Sequence, residues 1–350
     1  MYGMNSAAKD YDGFNKYIRI TDISETSNKF IPNPLTSPDG NLEDKYKLKK
    51  GDIVFARTGA STGKTYLYDE NDGNLYFAGF LIKFHIDNAN PKFIFYNTLK
   101  EEYLNWVSVM SVRSGQPGIN SNEYKKLPIN LPSLDEQKKI SNFLTLIDKK
   151  ITLLEHKREL YQNFKKYLMQ QIFAQKLRFD FSDDWKQYKI KELLSVKSSN
   201  ISINQLEDNT GEYPLYGASG FLKNIDFCEM GTDYISIVKD GSGVGNLSYH
   251  EGNSSIVNTS QYLLPKKNFN IHFLYYYLQT LNLKKYINGS SIPHIYFKDY
   301  CIEKVKVPSL SEQNRIGRLF LDIDKTLENL NKNIELSNEF KKGLLQQMFI

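Results

Sequence analysis

The sequence predicts an α+β chain built from two globular modules, each followed by a long helix, with the helices paired as an antiparallel coiled coil about an internal pseudo-twofold. Three observations predict it. A long segment recurs without a gap, apolar residues inside that segment follow heptad spacing, and short alternating apolar runs precede each copy.

The repeat comes first because it fixes the organisation. From Pro132 the chain reads PSLDEQKKISNFLTLIDKKITLLEHKRELYQNFKKYLMQQIF, and from Pro308 it reads PSLSEQNRIGRLFLDIDKTLENLNKNIELSNEFKKGLLQQMF. At an offset of 176 residues, about 19 of 42 positions are identical. Apolar residues fall at Ile140, Leu144, Ile147, Ile151, Leu154, Tyr161, Leu168 and Ile172, with Arg158 and Lys165 interrupting the stripe. The second copy gives Ile316, Phe320, Ile323, Leu327, Leu330, Ile334, Leu344 and Met348, weakened at Ser337 and Lys341. This spacing predicts a coiled-coil seam, and a stripe of that length must be covered. Each helix finds its cover in the other copy. Pro132 and Pro308 mark the starts, each followed by a capping serine and an early Glu-Gln pair. The chain therefore divides into a module (1–131), a helix (132–176), a connector with a second module (177–307) and a second helix (308–350). The stretch AQKLRFDFSDDW, ending at Trp185, reads as the connector.

Inside the modules the periodicity is strand-like in YIRITDI, DIVFAR, NLYFAGFLIKFHI, YISIV and SQYLLPK. Helical patterns follow in PKFIFYNTLKEEYLNWV and NIHFLYYYLQTLNLKKYI. Upstream of the helices the repeat continues: SGQPGINSNEY (Ser114 to Tyr124) faces SSIPHIYFKDY (Ser290 to Tyr300). Further upstream, Arg57, Gly59 and Gly63 face Lys239, Gly241 and Gly245.

That last match decides how TGASTGKT (residues 58 to 65) is read. Gly63, Lys64 and Thr65 resemble the end of a phosphate-binding loop, but Thr58 stands where its first glycine belongs. The repeat keeps the glycines and the preceding cation, while Lys64 and Thr65 become Asn246 and Leu247. The segment is predicted to be a glycine turn between two strands, IVFAR and TYLY, rather than a nucleotide site.

Composition bounds the rest. The 350 residues suffice for two cores, and a charged content of 24% is that of a globular protein. No apolar run is long enough to span a membrane and no leader opens the chain, so a cytoplasmic location is expected. Two isolated cysteines and five scattered histidines give neither a disulfide framework nor a metal site. Lysine and arginine total 45 against 40 for aspartate and glutamate, a net of +5 that favours a polyanionic partner. The 24 tyrosines fit half-buried strands.

PSLxEQ opening a helix that closes on FKKxLxQQxF, twice over, with YPLYGASG near the start of the second module, resembles the specificity subunits of type I restriction-modification enzymes. The resemblance covers essentially the whole chain. It implies two target recognition domains, each reading one half of a bipartite double-stranded DNA sequence, and two helices forming an antiparallel coiled coil. It also implies a subunit with no catalysis and no cofactor of its own. The partners it implies are two methyltransferase subunits, which bind S-adenosylmethionine and methylate adenine, and restriction subunits that use ATP and Mg. One departure stands out. The second module opens with WKQYKIKELLSVKSS, whereas the first begins at MYGMNSAAKDYDG without that opening strand. Either residues 31 to 50 compensate, or the first domain lacks an N-terminal piece.

A DNA reader needs polar side chains on base edges and cations on phosphates. The turns at repeated positions with differing polar residues supply the candidates. They are Arg57, Thr58, Ser61, Lys64, Arg113 and Gln116 in the first module, and Lys239, Asp240, Ser242, Asn246, Ser290, Ser291 and His294 in the second. The competing reading is a DNA enzyme, with a phosphate loop at Lys64 or nuclease-like groups at Asp39, Glu43 and Lys45. No Asn/Asp-Pro-Pro-aromatic methyltransferase motif is present; NPL at Asn33 and NPKF at Asn90 fail it.

Overall fold

A computed structural model describes residues 1–181, 183–206 and 211–349; Ser182 of the expected connector lies outside them. The chain divides into two compact units, 1–155 with 333–350, and 156–332. Each unit thus takes one module and half of both long helices, so the helices are shared between units rather than forming separate domains.

In the first unit the strands are β1 (Ala8–Asp10), β2 (Lys16–Ile18), β3 (Thr36–Pro38), β4 (Asp52–Ala56), β5 (Thr65–Leu67), β6 (Leu75–Phe77) and β7 (Leu81–His85). Helices α1 (Pro91–Asn97), α2 (Glu101–Met110) and α3 (Ser121–Tyr124) follow, and the first long helix is α4 (Leu134–Phe173). β4 is the central strand, antiparallel to β5 and β7. All five of its residues are buried, and the alternation explains why. Ile53 and Phe55 face the helices, and Val54 and Ala56 face a second core under β2 and β6. NLYFAGFLIKFHI, read as one strand, is broken into β6 and β7 by a turn at Gly79 and Phe80, beside Ala78, which bridges Met4 near the N-terminus.

The second unit contains β8 (Lys186–Lys189), α5 (Ile190–Leu193), β9 (Leu194–Ser198), β10 (Tyr213–Gly217), β11 (Gly220–Ile225), β12 (Tyr234–Val238), β13 (Leu247–His250), β14 (Ser255–Ile256) and β15 (Ser260–Pro265). Then come α6 (Ile271–Thr280), α7 (Phe297–Tyr300), β16 (Lys304–Val307) and the second long helix α8 (Leu310–Gln347). Its main sheet runs β13-β12-β15-β9, so β12, β13 and β15 repeat β4, β5 and β7. Where β9 lies on the edge of β15, Tyr2 bridges Ile82 on β7 in the first unit.

The PSLxEQ motif has a structural explanation in each unit. Asn90 caps α1 by accepting from Phe93 N, and Asn270 caps α6 by accepting from Phe273 N. Gln137 then accepts from Asn90 N (2.9 Å) and donates to Pro132 O (2.8 Å). Gln313 repeats both bonds with Asn270 N and Pro308 O, each at 2.9 Å. The glutamine therefore bolts the start of each long helix to a module helix.

The helices pair in opposite directions. Within the second unit, Arg158 meets Asn331 and Lys165 meets Asp324, so progress along α4 is regress along α8. The seam differs from expectation at one end of α8, where Leu345 and Phe349 are buried rather than Leu344 and Met348. Phe349 packs on Phe93 of α1 at 5.0 Å, so a module helix joins α4 in covering that end of the seam. Among the described residues, no helix is long and apolar enough to cross a membrane.

Candidate nucleic-acid interface

The glycine turn joins β4 to β5, and it is a β-connection followed by a strand, not by the helix a phosphate loop requires. Gly59 and Gly63 adopt φ of +77° and +91°, conformations that side chains disfavour. Ala56 and the turn close on themselves through Gly63 N to Ala56 O (3.0 Å) and Ala56 N to Lys64 O (2.8 Å). The proline turn docks onto it: Gly59 N donates to Pro117 O (3.0 Å) and Ile119 N to Arg57 O (2.9 Å). A third segment joins through Arg57 N to Phe80 O (3.0 Å).

Every one of these bonds recurs in the second unit. Gly245 N reaches Val238 O, Val238 N reaches Asn246 O, Gly241 N reaches Pro293 O, Ile295 N reaches Lys239 O, and Lys239 N reaches Thr259 O, all between 2.8 and 2.9 Å. One backbone scaffold is therefore built twice, and only its side chains differ. The anchoring underneath also differs. Tyr103 and Tyr124 donate to Gly63 O (2.6 Å) and Ala56 O (2.7 Å), whereas buried Tyr300, the counterpart of Tyr124, has no hydrogen-bond partner among the described residues. Burial raises the phenol pKa of all three tyrosines.

The scaffold sorts the candidate residues. In the first unit, Arg57 donates from Nε to Gly79 O (3.0 Å) and lies over the rings of Tyr2 and Phe80. Its Nη atoms make no hydrogen bond among the described residues. Thr58 bridges Gly118, Ser61 is half-buried, and Gln116 is exposed with its amide over Gly59. These residues and Arg19 line a groove of about 880 Å³. Two candidates are committed elsewhere. Lys64 is turned inward, with an 8% exposed side chain bound to Ile23 O and the Glu25 carboxylate. Arg113 grips both oxygens of Glu123 at 2.6 Å and two backbone carbonyls, so it is tied to the carboxylate that completes the Asn120 capping box of α3.

In the second unit Lys239 and Asp240 pair with each other, which leaves the lysine less available than Arg57. Ser242, Asn246, Ser290 and Ser291 are exposed, and His294 bridges Asp240 and Asn288 through its backbone. Tyr2, Arg19 and Phe80 were missed from the sequence. Phe80, 58% exposed, was hidden because its segment read as an uninterrupted strand.

The groups proposed for the enzyme alternative do not converge. Lys45 pairs with Glu43 at 2.6 Å while Asp39 lies 3.9 Å from Lys9. Among the described residues no three His, Cys, Asp or Glu side chains cluster as metal ligands.

A twice-built scaffold with divergent polar faces defines a duplicated recognition domain. The family model for the type I restriction modification DNA specificity domain matches twice, over residues 4–161 and 182–338, and the chain belongs to that family. It is similar to the MjaVIII specificity subunit of Methanocaldococcus jannaschii, with 28% identity over 48% of this chain and 42% of that one. It is also similar to the putative type I specificity subunit S.MpnORF638P of Mycoplasma pneumoniae, with 26% identity over 74% and 72% of the two chains. The match spans about half the length of the two Methanocaldococcus relatives. The fold is that of the type I S subunit from M. genitalium, with TM-score 0.65 and 20% identity over 99% of this chain and 94% of the other.

Proposed function

We propose that this chain is the DNA-reading subunit of a type I restriction-modification enzyme. Each glycine-turn cluster reads one half of a bipartite duplex target, and the chain performs no chemistry itself. The observation that carries this reading is the repeated scaffold whose bonds match pair for pair while its exposed side chains differ. Two readers of unlike half-sites need that combination. Methylation by two methyltransferase subunits holding S-adenosylmethionine, and ATP- and Mg-dependent cleavage by restriction subunits, belong to the partners.

The long helices support a scaffold role. In the first unit Leu146 and Leu153 are 63% and 69% exposed, and in the second Leu160 and Tyr167 are 54% and 55% exposed, all at heptad spacing on α4. An apolar stripe outside the seam suits a helical partner.

The test is a module exchange with methylated adenines mapped in cells carrying the methyltransferase subunits. Replacing residues 185 to 300 with the equivalent module of a relative should change one half-site and preserve the other. A change in both halves, or in neither, would sink the two-reader reading.

A further inference from the structure

The lysines that interrupt the apolar seam are part of a three-residue constellation that occurs once in each unit. In the first unit, Asp148 on α4 accepts from Tyr96 Oη of α1 (2.7 Å) and pairs with Lys341 Nζ of α8 (2.7 Å). In the second, Asp324 on α8 accepts from Tyr276 Oη of α6 (2.6 Å) and pairs with Lys165 Nζ of α4 (2.6 Å). Each ammonium also stands over the ring of the same tyrosine, at 5.8 Å for Lys341 and 5.0 Å for Lys165. The repeat offset of 176 relates Asp148 to Asp324 and Lys165 to Lys341, so the two helices exchange roles between the constellations.

Three elements meet at each aspartate: a module helix, one long helix and the opposing long helix. The lysine and aspartate side chains are only 19–35% exposed, so each charge depends on its partner. A parallel pairing of the repeats would set Lys165 against Lys341 and leave both aspartates without cations. The arrangement therefore selects the antiparallel register at the place where apolar packing is weakest, as polar seam residues do. The tyrosine extends this selection to the module, because its hydroxyl reaches the same carboxylate.

We infer that Asp148 and Asp324 are positioning residues for DNA reading. Each sets the pose of its own module on the paired helices, and discrimination within a half-site depends on the constellation of the unit that reads it. The inference rests on the two-reader function proposed above. Its physical basis is that side chains discriminate bases only when held to within roughly half an ångström, so a loosened platform blurs the reading.

The experiment uses the full chain assembled with its methyltransferase subunits. Adenine methylation is measured on duplexes carrying the intact target and on duplexes with one base pair changed in either half. Asp148→Asn should reduce discrimination by roughly tenfold in the first unit's half-site alone, the scale expected for losing a charge-assisted hydrogen-bond pair. Asp324→Asn should do the same in the other half, and exchanging the charges (Asp148→Lys with Lys341→Asp), which rebuilds the ion pair but leaves the Tyr96 hydroxyl without its acceptor, should recover discrimination to about the level of Tyr96→Phe. Tyr96→Phe and Tyr276→Phe keep the ion pair and the fold, and should show the same half-specific loss in smaller degree. Equal loss in both halves, no loss in any variant, or no recovery on charge exchange would overturn the inference. If the wild-type assembly itself methylates without regard to sequence, the proposed function fails instead.

Discussion

Gly63 and Gly245 occupy the same place in the repeated turn, yet alanine should be far costlier at the first. Both adopt left-handed backbone, with φ of +91° and +86°, so each substitution carries about 1–2 kcal/mol of backbone strain. A Cβ on Gly63 would also lie 2.5, 2.8 and 3.2 Å from the Cγ1, Cγ2 and Cβ atoms of Val107, closer than packed carbons allow. On Gly245 the nearest atom is Ile287 Cδ1 at 3.8 Å, an ordinary contact. Overpacking of the first kind adds about 1–3 kcal/mol. Gly63→Ala should therefore lose roughly 2–5 kcal/mol and Gly245→Ala roughly 1–2. At roughly 2–4 °C per kcal/mol for units of this size, thermal unfolding separates them. Adding Val107→Ala to Gly63→Ala removes the two Cγ clashes and leaves only the Cβ contact at 3.2 Å, so the pair should lose less than the two single losses combined. Equal losses at the two glycines, or strict additivity with Val107→Ala, would refute the argument.

Arg57→Ala should weaken cognate DNA binding by about 1–3 kcal/mol if the unpaired Nη edge reads a base, and Lys239→Ala should cost less because that ammonium already holds Asp240. Titration against cognate and random duplexes at several salt concentrations decides; a uniform loss with a shallower salt slope would assign Arg57 to phosphate. His250, buried between Tyr216 and Tyr234 and bonded to Ser236, has its pKa lowered to about 4 by desolvation. The folded state holds that proton more weakly than the unfolded chain, so stability is full above about pH 6.5 and falls by up to about 3 kcal/mol as pH drops to about 4. Urea melts across that window should show the slope, and His250→Gln should remove it. Glu312→Ala should cost about 3–5 kcal/mol, since the buried carboxylate binds Arg178 twice and the Trp185 indole, while exposed Glu136 at the same motif position should tolerate alanine. A melt in which both alanine variants lose alike would contradict that account.

What the sequence disclosed and what it hid follow from the range of the interactions involved. The two long helices, their antiparallel pairing and the glycine turn were legible because each is written in local spacing or in the repeat itself. The broken end of the α8 seam was not, because Phe349 packs on Phe93, a residue more than two hundred positions away that no heptad count can register. The same limit explains the site residues. Arg113 and Lys64 look like readers from their place on polar turns. Their partners, Glu123 and Glu25, become visible only when the backbone brings them together. A cation on a turn therefore signals recognition only after its carboxylates are accounted for. Of the four candidate cations, that accounting leaves Arg57 as the one whose charged edge meets no acidic side chain among the described residues, while Lys239 answers to its own neighbour Asp240. The same scaffold thus presents a cation held by a backbone carbonyl and two aromatic rings in one unit and an internally paired charge in the other. Two domains folded alike can in this way acquire different preferences from substitutions confined to a few turn positions, with the backbone hydrogen bonds that shape the turns unchanged.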